Sequence, residues 1–222
     1  MEIKKGINYM TIIDQDLYQF STYVQPINLS FHQYLLANEE PLLFHTGNIQ
    51  QAKVLVPQLK AVLNDKTLKY IFVSHFESDE CGGLSHILEH FPGVKPICSE
   101  VTARQLTGFG LASELIVKKP GERLLTKDYE LEFFNYPCEM HLWEGLLVME
   151  TRRRIFFSSD LMMRFGEANG THIESNWQME IENIRLEQVP DPERRLQLQK
   201  TLMQLNPGFV ATGHGPCLKL NK

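Results

Sequence analysis

A short stretch of the sequence, HFESDECGG, concentrates ionisable side chains directly after the apolar run KYIFVS. It places His75, Glu77, Asp79 and Glu80 in a single turn of the chain. Carboxylates this close together repel one another, and burying them is costly unless an opposite charge is present. Open water, basic side chains or a metal ion could supply that compensation.

The spacing in this stretch allows three of its side chains to point at one place. Residues two apart in an extended segment face the same side, so His75, Glu77 and Asp79 can converge. Gly82 and Gly83 then let the chain bend sharply and let the next helix approach closely. The alternative is a solvated acidic loop that contains a histidine by chance.

Three further polar residues follow apolar strands in the same way. His141 comes after FFNYP, Asp160 after RIFFSS and His214 after FVAT. Side chains carried at strand ends on a rigid scaffold can meet in space although they are far apart in sequence. This shared placement disfavours the solvated loop and predicts a site at one edge of the sheets. His45, in LFHTG, also ends a strand, and there we favour a structural histidine with satisfied hydrogen bonds.

The predicted elements that carry these residues run through strands, helices and strands again, and end with a helix and a last strand. Strands are predicted for LYQFSTYV, INLSFHQYLLAN, PLLFHTG, LKYIFVS, VKPICS, ELIVKK, YELEFFNYP, GLLVMET, RRIFFSS and, as the last one, GFVATGHGP. Helices are predicted for NIQQAKVLVPQLKAVLND, GGLSHILEHF, EVTARQLTGF and DPERRLQLQKTLMQL. Asn48 is the expected N-cap of the first helix, and Asp191 and Pro192 open the last one. This order suits two sheets packed face to face with helices outside.

Composition excludes several classes of protein. The chain has 222 residues, a formal net charge of -5 and 43% hydrophobic residues, as in an ordinary globular protein. No apolar run approaches membrane-spanning length, and the first residues do not resemble a signal peptide, so we expect a cytoplasmic protein with no membrane partner. TRRRIFF is the only basic run, which argues against a nucleic-acid partner. The four cysteines form no C-x-x-C pair and are expected to be free thiols.

The H-x-E-x-D stretch followed by Gly-Gly resembles the metallo-β-lactamase fold, and its Glu in the third position resembles the flavodiiron proteins within that fold. FFSSDLMMRFG, ATGHGP and YPCEMHLWEG are similar to the later motifs of the same family. The resemblance implies an α+β protein with a four-layer α/β/β/α sandwich, as one diiron domain over residues 1–222. It is greatest to the stand-alone oxygen-binding diiron proteins, which lack the flavodoxin domain and its FMN.

Carried over by position, the resemblance implies one iron held by His75, Glu77 and His141 and a second held by Asp79 and His214. Asp160 would bridge the two ions. Glu80 stands where the family usually has His, and we expect it to ligate the second iron directly or through water. The alternative for Glu80 is a residue at a helix N-terminus that is stabilised by the helix dipole.

The implied cofactor is a pair of iron ions, Fe2+ or Fe3+, bridged by an oxo or hydroxo group or by O2. Carboxylate-rich sites of nitrogen and oxygen donors favour iron or manganese, whereas zinc accepts softer ligands. Glu77, Asp79 and Asp160 would also favour the higher oxidation state through their negative charge.

Three functions follow from this interpretation. The first is an O2-binding sensor that signals to a partner, as in bacterial chemotaxis. The second is an O2 or NO reductase that receives electrons from an external donor. The third is a binuclear metallo-hydrolase, which Glu77 disfavours. A homodimer is also expected from the resemblance, although the apolar face of residues 191–205 could instead pack on the sandwich.

Overall fold

The computed structural model describes residues 6–137 and 143–221, and two seven-stranded β-sheets form the centre of that part of the chain. In the first sheet the strands lie side by side in chain order: β1 (Ile7–Asp14), β2 (Leu17–Val24), β3 (Leu29–Leu36), β4 (Leu42–Phe44), β5 (Tyr70–Phe72), β6 (Lys95–Cys98) and β7 (Ile116–Val117). Strands β1 to β4 pair antiparallel, and β4 to β7 pair parallel.

The second sheet has the order β12-β14-β13-β11-β10-β9-β8. Its strands are β8 (Arg123–Leu125), β9 (Glu130–Tyr136), β10 (Gly145–Glu150), β11 (Ile155–Ser159), β12 (His172–Ser175), β13 (Phe209–Thr212) and β14 (Cys217–Leu220). Strand β11 pairs parallel with β13 and antiparallel with β10, so its carboxyl end lies beside that of β13.

Helices cover the outer face of each sheet. The described helices are α1 (Ile49–Leu63), α2 (Ser78–Cys81), α3 (Leu84–His90), α4 (Glu100–Gly108), α5 (Trp177–Glu182) and α6 (Pro192–Leu202). Asn48 caps α1 by accepting hydrogen bonds from two backbone amides, and Asp191 caps α6 in the same manner. Both caps confirm the predicted helix starts.

Alternation along the buried strands explains how the layers are held together. In β5, Ile71 faces the core beneath α1 and α3, while Phe72 faces the core between the sheets. In β11, Phe157 faces the core between the sheets, and Phe156 faces the core beneath α5 and α6. Strands buried on both faces therefore read as continuous apolar runs.

The resulting four-layer α/β/β/α sandwich confirms the predicted fold. Phe44 of the first sheet stacks on Phe157 of the second, with ring centroids 3.6 Å apart. Leu198 and Leu202 of α6 pack into the core beneath that helix, so this part of its apolar face is used within the chain.

Three local expectations were wrong. Strand β1 was not predicted, because it lies at a sheet edge with an alternately exposed face and carries a weak apolar pattern. GFVATGHGP does not hold the last strand, since β14 follows it. The HFESDE stretch is extended only as far as Glu77, and the short helix α2 begins at Ser78.

The predictions about free thiols and about membrane-spanning segments concern features outside the site. Cys81, Cys98 and Cys217 are buried free thiols, as predicted, and burial raises the pKa of Cys81 and of Cys98 to about 12. Cys138 lies outside the described residues. Within residues 6–137 and 143–221, no helix is long and apolar enough to cross a membrane.

Candidate metal centre

The carboxyl ends of three strands from the two sheets deliver the candidate ligands to one edge of the sandwich. His75 follows β5, Asp160 follows β11 and His214 follows β13. Glu77 is the residue before α2, and Asp79 lies in the first turn of that helix. Asp79 therefore reaches the site by the turn of a helix and not by strand alternation.

Asp160 is the shared contact of the two histidines. Its Oδ2 lies 3.4 Å from Nε2 of His75, and its Oδ1 lies 3.0 Å from Nε2 of His214. His75 belongs to the first sheet's edge and His214 to the second's, so this one carboxylate joins them. Each of its oxygens faces a different imidazole.

The other two acids lie on either side of this group. Oε2 of Glu77 is 3.0 Å from Nε2 of His75, and Oδ2 of Asp79 is 3.4 Å from Nε2 of His214. The ligand atoms of His75, Glu77 and Asp160 all lie within 4.8 Å of one another. His75 and His214 therefore both lie against Asp160.

His214 is oriented from behind by the backbone of a neighbouring strand. Its Nδ1 lies 3.0 Å from the carbonyl oxygen of Ser30. A carbonyl only accepts hydrogen bonds, so Nδ1 carries a proton and Nε2 is the atom that faces Asp160. The edge of the Phe31 ring packs against the same imidazole, with centroids 5.0 Å apart.

The charges of the site are strongly perturbed when only protein groups are present. Burial and the adjacent carboxylates of Glu80 and Glu77 raise the pKa of Asp79 to about 7. Burial opposes the charged forms of Asp160 and His214, but their mutual attraction outweighs it. The pKa of Asp160 is lowered to about 2, and that of His214 is raised to about 9.

The donor set fits a hard cation. Three carboxylates and two imidazoles meet in a largely buried place, and among the residues that the structure describes Oδ1 of Asp160 has no partner with hydrogen-bond geometry. A cation would bind that oxygen and would relieve the repulsion between carboxylates that raises the pKa of Asp79. The nitrogen and oxygen donors are of the kind that iron and manganese accept.

Two of the expected ligands are not seen in this group. His141 lies outside the described residues. Glu80 is buried, but its carboxylate points elsewhere: Oε2 lies 2.6 Å from Nε2 of His45, and Oε1 accepts a hydrogen bond of 3.1 Å from Ser159. These contacts give no support to a direct ligand role for Glu80.

Residues that the sequence analysis missed lie immediately behind the site. Ser74 Oγ is 2.9 Å from Nδ1 of His75 and 2.9 Å from Oγ of Ser159. His45, which was expected to be a structural histidine, lies beside the carboxylate of Glu80. Two signals were available: each serine directly precedes a candidate ligand, and His45 follows β4, the parallel neighbour of β5.

A second group of possible ligand atoms occurs on the surface of α3, formed by His86, Glu89 and His90. His90 and Glu89 are exposed, and Nδ1 of His90 is 2.9 Å from the backbone oxygen of His86. This group is separate from the strand-end site.

The fold and the strand-end site together define a metallo-β-lactamase-like protein. Residues 29–187 match a family profile described as "ODP family beta lactamase", and the chain belongs to that family. A solved structure, a mutant of the flavo di-iron protein from Thermotoga maritima, superposes with a TM-score of 0.80 at 20% identity. The superposition covers 96% of this chain and 59% of the Thermotoga maritima chain, and it shows that the two folds are alike.

Relatives in sequence include flavoproteins much longer than this chain. Diflavin flavoprotein A 1 from Synechocystis sp. is 25% identical over 99% of this chain and 39% of its own length. Anaerobic nitric oxide reductase flavorubredoxin from Aliivibrio salmonicida is 24% identical over 72% of this chain and 33% of its own length. The chain therefore spans well under half of the length of these relatives.

Proposed function

We propose that this chain holds a non-haem diiron centre and binds O2 there. In this proposal one iron is held by His75, Glu77 and His141, and the second by Asp79 and His214, with Asp160 between them. Glu80 is left out of the ligand set because its carboxylate contacts His45 and Ser159.

The observation that carries the proposal is the placement of Asp160. Its two oxygens face the Nε2 atoms of two histidines that come from different sheets. A carboxylate shared by two metal ions would use one oxygen for each of them. The family membership and the flavo di-iron fold support the same arrangement.

Two ferrous ions, when bound, supply electrons that O2 can accept. The protein's part is to hold this pair in a dry and negatively charged place. Asp160, His75 and His214 are buried, which keeps bulk water away. The anionic ligands Glu77, Asp79 and Asp160 stabilise the higher oxidation state of the metal.

We propose further that O2 binding serves as a signal to a partner, as in chemotaxis. This part follows from the resemblance to the stand-alone oxygen-binding diiron proteins. The second candidate is a reductase of O2 or NO that is supplied by an external electron donor. The similarity of this chain to the anaerobic nitric oxide reductase of Aliivibrio salmonicida favours this second candidate.

The test is to purify the protein without oxygen, measure iron per chain and then admit air while recording the visible spectrum. We expect about two iron ions per chain and a new absorption band that appears with O2. Zinc in place of iron after growth in iron-replete medium would favour the metallo-hydrolase. Multiple turnovers of O2 or NO with a reduced flavodoxin or rubredoxin would favour the reductase over the sensor.

The remaining expectations stay predictions. A homodimer predicts twice the chain mass in dilute solution, and a monomeric mass would contradict it. Cytoplasmic location and a single domain over residues 1–222 are likewise predictions that rest on the sequence.

A further inference from the structure

One face of α3 carries a cluster of metal-binding side chains that the strand-end site does not use. His86, Glu89 and His90 stand at positions i, i+3 and i+4 of this helix, so they project from the same face. One nitrogen of each imidazole and one oxygen of the carboxylate all lie within 4.8 Å of one another. In a tetrahedral zinc site the ligand atoms are about 3.3 Å apart, since each lies about 2.0–2.1 Å from the ion. Small rotations of these side chains would close the difference.

The backbone that spaces the three side chains is held in place by packing. Leu84 and Ile87, on the opposite face of α3, are buried in the core beneath α1 and α3. A Cβ added at Gly83 would lie 2.3 Å from Cβ of Ala52, so α3 begins in close contact with α1. The helical turn is therefore formed before an ion arrives, and binding does not have to order it.

Contacts among the three side chains already bring them together. Nδ1 of His86 lies 3.7 Å from Oε2 of Glu89, and the rings of His86 and His90 have centroids 4.5 Å apart. Nδ1 of His90 donates to the backbone oxygen of His86 over 2.9 Å, since a carbonyl only accepts. Metal-binding histidines commonly use one ring nitrogen in this way to fix the direction of the ring. The other nitrogen of His90, Nε2, is then left for a metal.

The cluster is open to solvent, and its donors differ from those of the strand-end site. The side chains of His86 and Glu89 are 20% and 72% exposed, and His90 is exposed as well. Two imidazoles and one carboxylate form the donor set of zinc sites that keep a fourth position for water. The strand-end site has three carboxylates for its two imidazoles and so prefers a harder ion.

We propose that His86, Glu89 and His90 form a separate metal site on the surface of α3, which takes a borderline divalent cation such as Zn2+. The three side chains hold the ion, and water completes its coordination. The inference does not depend on the diiron proposal, because it uses a different set of residues. Zinc bound on α3 would be counted in addition to the metal at the strand ends, so a zinc count alone does not identify the ion held there.

The test is an anaerobic calorimetric titration of Zn2+ into the iron-loaded protein and into the double variant His86→Gln/His90→Gln. The wild type should bind one more Zn2+ per chain than the double variant. Because the result is a difference between two proteins, zinc that enters the strand-end site contributes equally to both. His90→Gln alone should weaken this binding by more than about 10-fold, the effect that loss of an orienting partner can already have. His172→Gln, at an exposed histidine of β12, is the matched control and should bind zinc as the wild type does.

Two further measurements locate the ion. Addition of Zn2+ should shift the side-chain 1H–15N signals of His86 and His90 and leave those of His172 unchanged. Zn2+ should also raise the midpoint of urea unfolding more in the wild type than in the double variant, because the three ligands meet only on the folded helix. Near-UV circular dichroism verifies that each variant is folded.

The outcomes separate this inference from the proposed function. Equal zinc counts in the wild type and the double variant would overturn the α3 site, whatever the iron content. A loss of zinc in His172→Gln as large as in His90→Gln would also overturn it, because any exposed histidine would then bind the ion. A wild type that binds no iron but binds one more zinc than the double variant would contradict the diiron proposal and leave the α3 site standing.

Discussion

Nε2 of His45 and Oε2 of Glu80 lie 2.6 Å apart, and their side chains are only 6% and 3% exposed. Within residues 6–137 and 143–221, neither atom has a partner with full hydrogen-bond geometry, so the contact between them is bent away from the ideal angle. His45 follows β4 with a positive φ of 63°, in a region that few residues other than glycine adopt. The two residues are therefore expected to depend on each other for stability.

A double-mutant cycle measures this dependence. His45→Leu leaves a buried carboxylate oxygen of Glu80 without its neighbour, and it should destabilise the metal-free protein by about 1–3 kcal/mol. Glu80→Leu should have a cost of the same order, because it strands His45 and Ser159. The double variant His45→Leu/Glu80→Leu should be less destabilised than the sum of the two, as measured by urea unfolding. Strictly additive free energies of unfolding would show that the pair is not coupled.

Asp160 is expected to be required for both metal ions. Asp160→Ala removes the carboxylate that contacts both histidines, so iron per chain, measured after anaerobic reconstitution, should fall well below that of the wild type. His141→Ala should remove only one of the two ions, because it is proposed for one site alone. Asp65→Ala, at an exposed carboxylate, is the control. Wild-type iron content in the Asp160 variant would contradict the bridging role.

The buried His32 is expected to make the stability of the metal-free protein depend on pH. Burial lowers the pKa of His32 to about 3. Protonation would place an N–H at Nδ1, where the described part of the chain offers no partner, while Nε2 is already 2.7 Å from the Gly215 carbonyl oxygen. The unfolded chain, with a pKa near 6.5, therefore binds more protons between about pH 3 and 6.5. Stability should fall as the pH drops through that window, by about 2 kcal/mol between pH 7.5 and 5.

The variant His32→Gln keeps a donor for the Gly215 carbonyl and removes this titration. Urea unfolding at pH 5 and 7.5 should show a smaller loss of stability in the variant than in the wild type. An equal loss in both proteins would mean that other groups account for the acid sensitivity.

The sandwich could be predicted from the sequence because strands buried on both faces are seen as continuous apolar runs. Ile71 and Phe72 at the end of β5 and the run IFF at the start of β11 are apolar at consecutive positions, and a covering layer on each side is needed to explain that. The edge strand β1 gave no such signal, because its alternate residues are exposed. Strand β14 is short, and its place in the sheet depends on pairing with β12 and β13, which are distant from one another in sequence.

The candidate site was predictable in part, and for a local reason. The convergence of His75, Asp160 and His214 follows from their position after strands. The path to Asp79 could not be predicted, because a helix as short as α2 has no periodicity that distinguishes it from an extended turn. The direction of the Glu80 side chain depends on where His45 and Ser159 lie in the fold, and a family pattern at one position does not contain that information.

Gly145 is predicted to be necessary for the shape of the site although it has no polar side chain. It begins β10 beside the loop that carries His75, and its neighbour Leu146 donates a backbone hydrogen bond to the Ser74 carbonyl oxygen. A Cβ added at Gly145 would lie 2.9 Å from that oxygen and 3.1 Å from Cβ of His75. Since a carbonyl oxygen of the backbone cannot move as freely as the end of a side chain, the loop itself would have to shift.

Gly145→Ala should therefore destabilise the protein by about 1–3 kcal/mol, as overpacking usually does, and should also reduce iron content by displacing His75. Gly208→Ala is the control, because among the described residues other than its chain neighbours a Cβ there would come no closer than 4.0 Å, to the backbone oxygen of Arg154. Urea unfolding gives the stability, and iron per chain after anaerobic reconstitution gives the effect on the site. If Gly145→Ala matches the control in both measurements, then the loop that holds His75 yields easily, and the imidazole is held by its hydrogen bonds and not by close packing against β10.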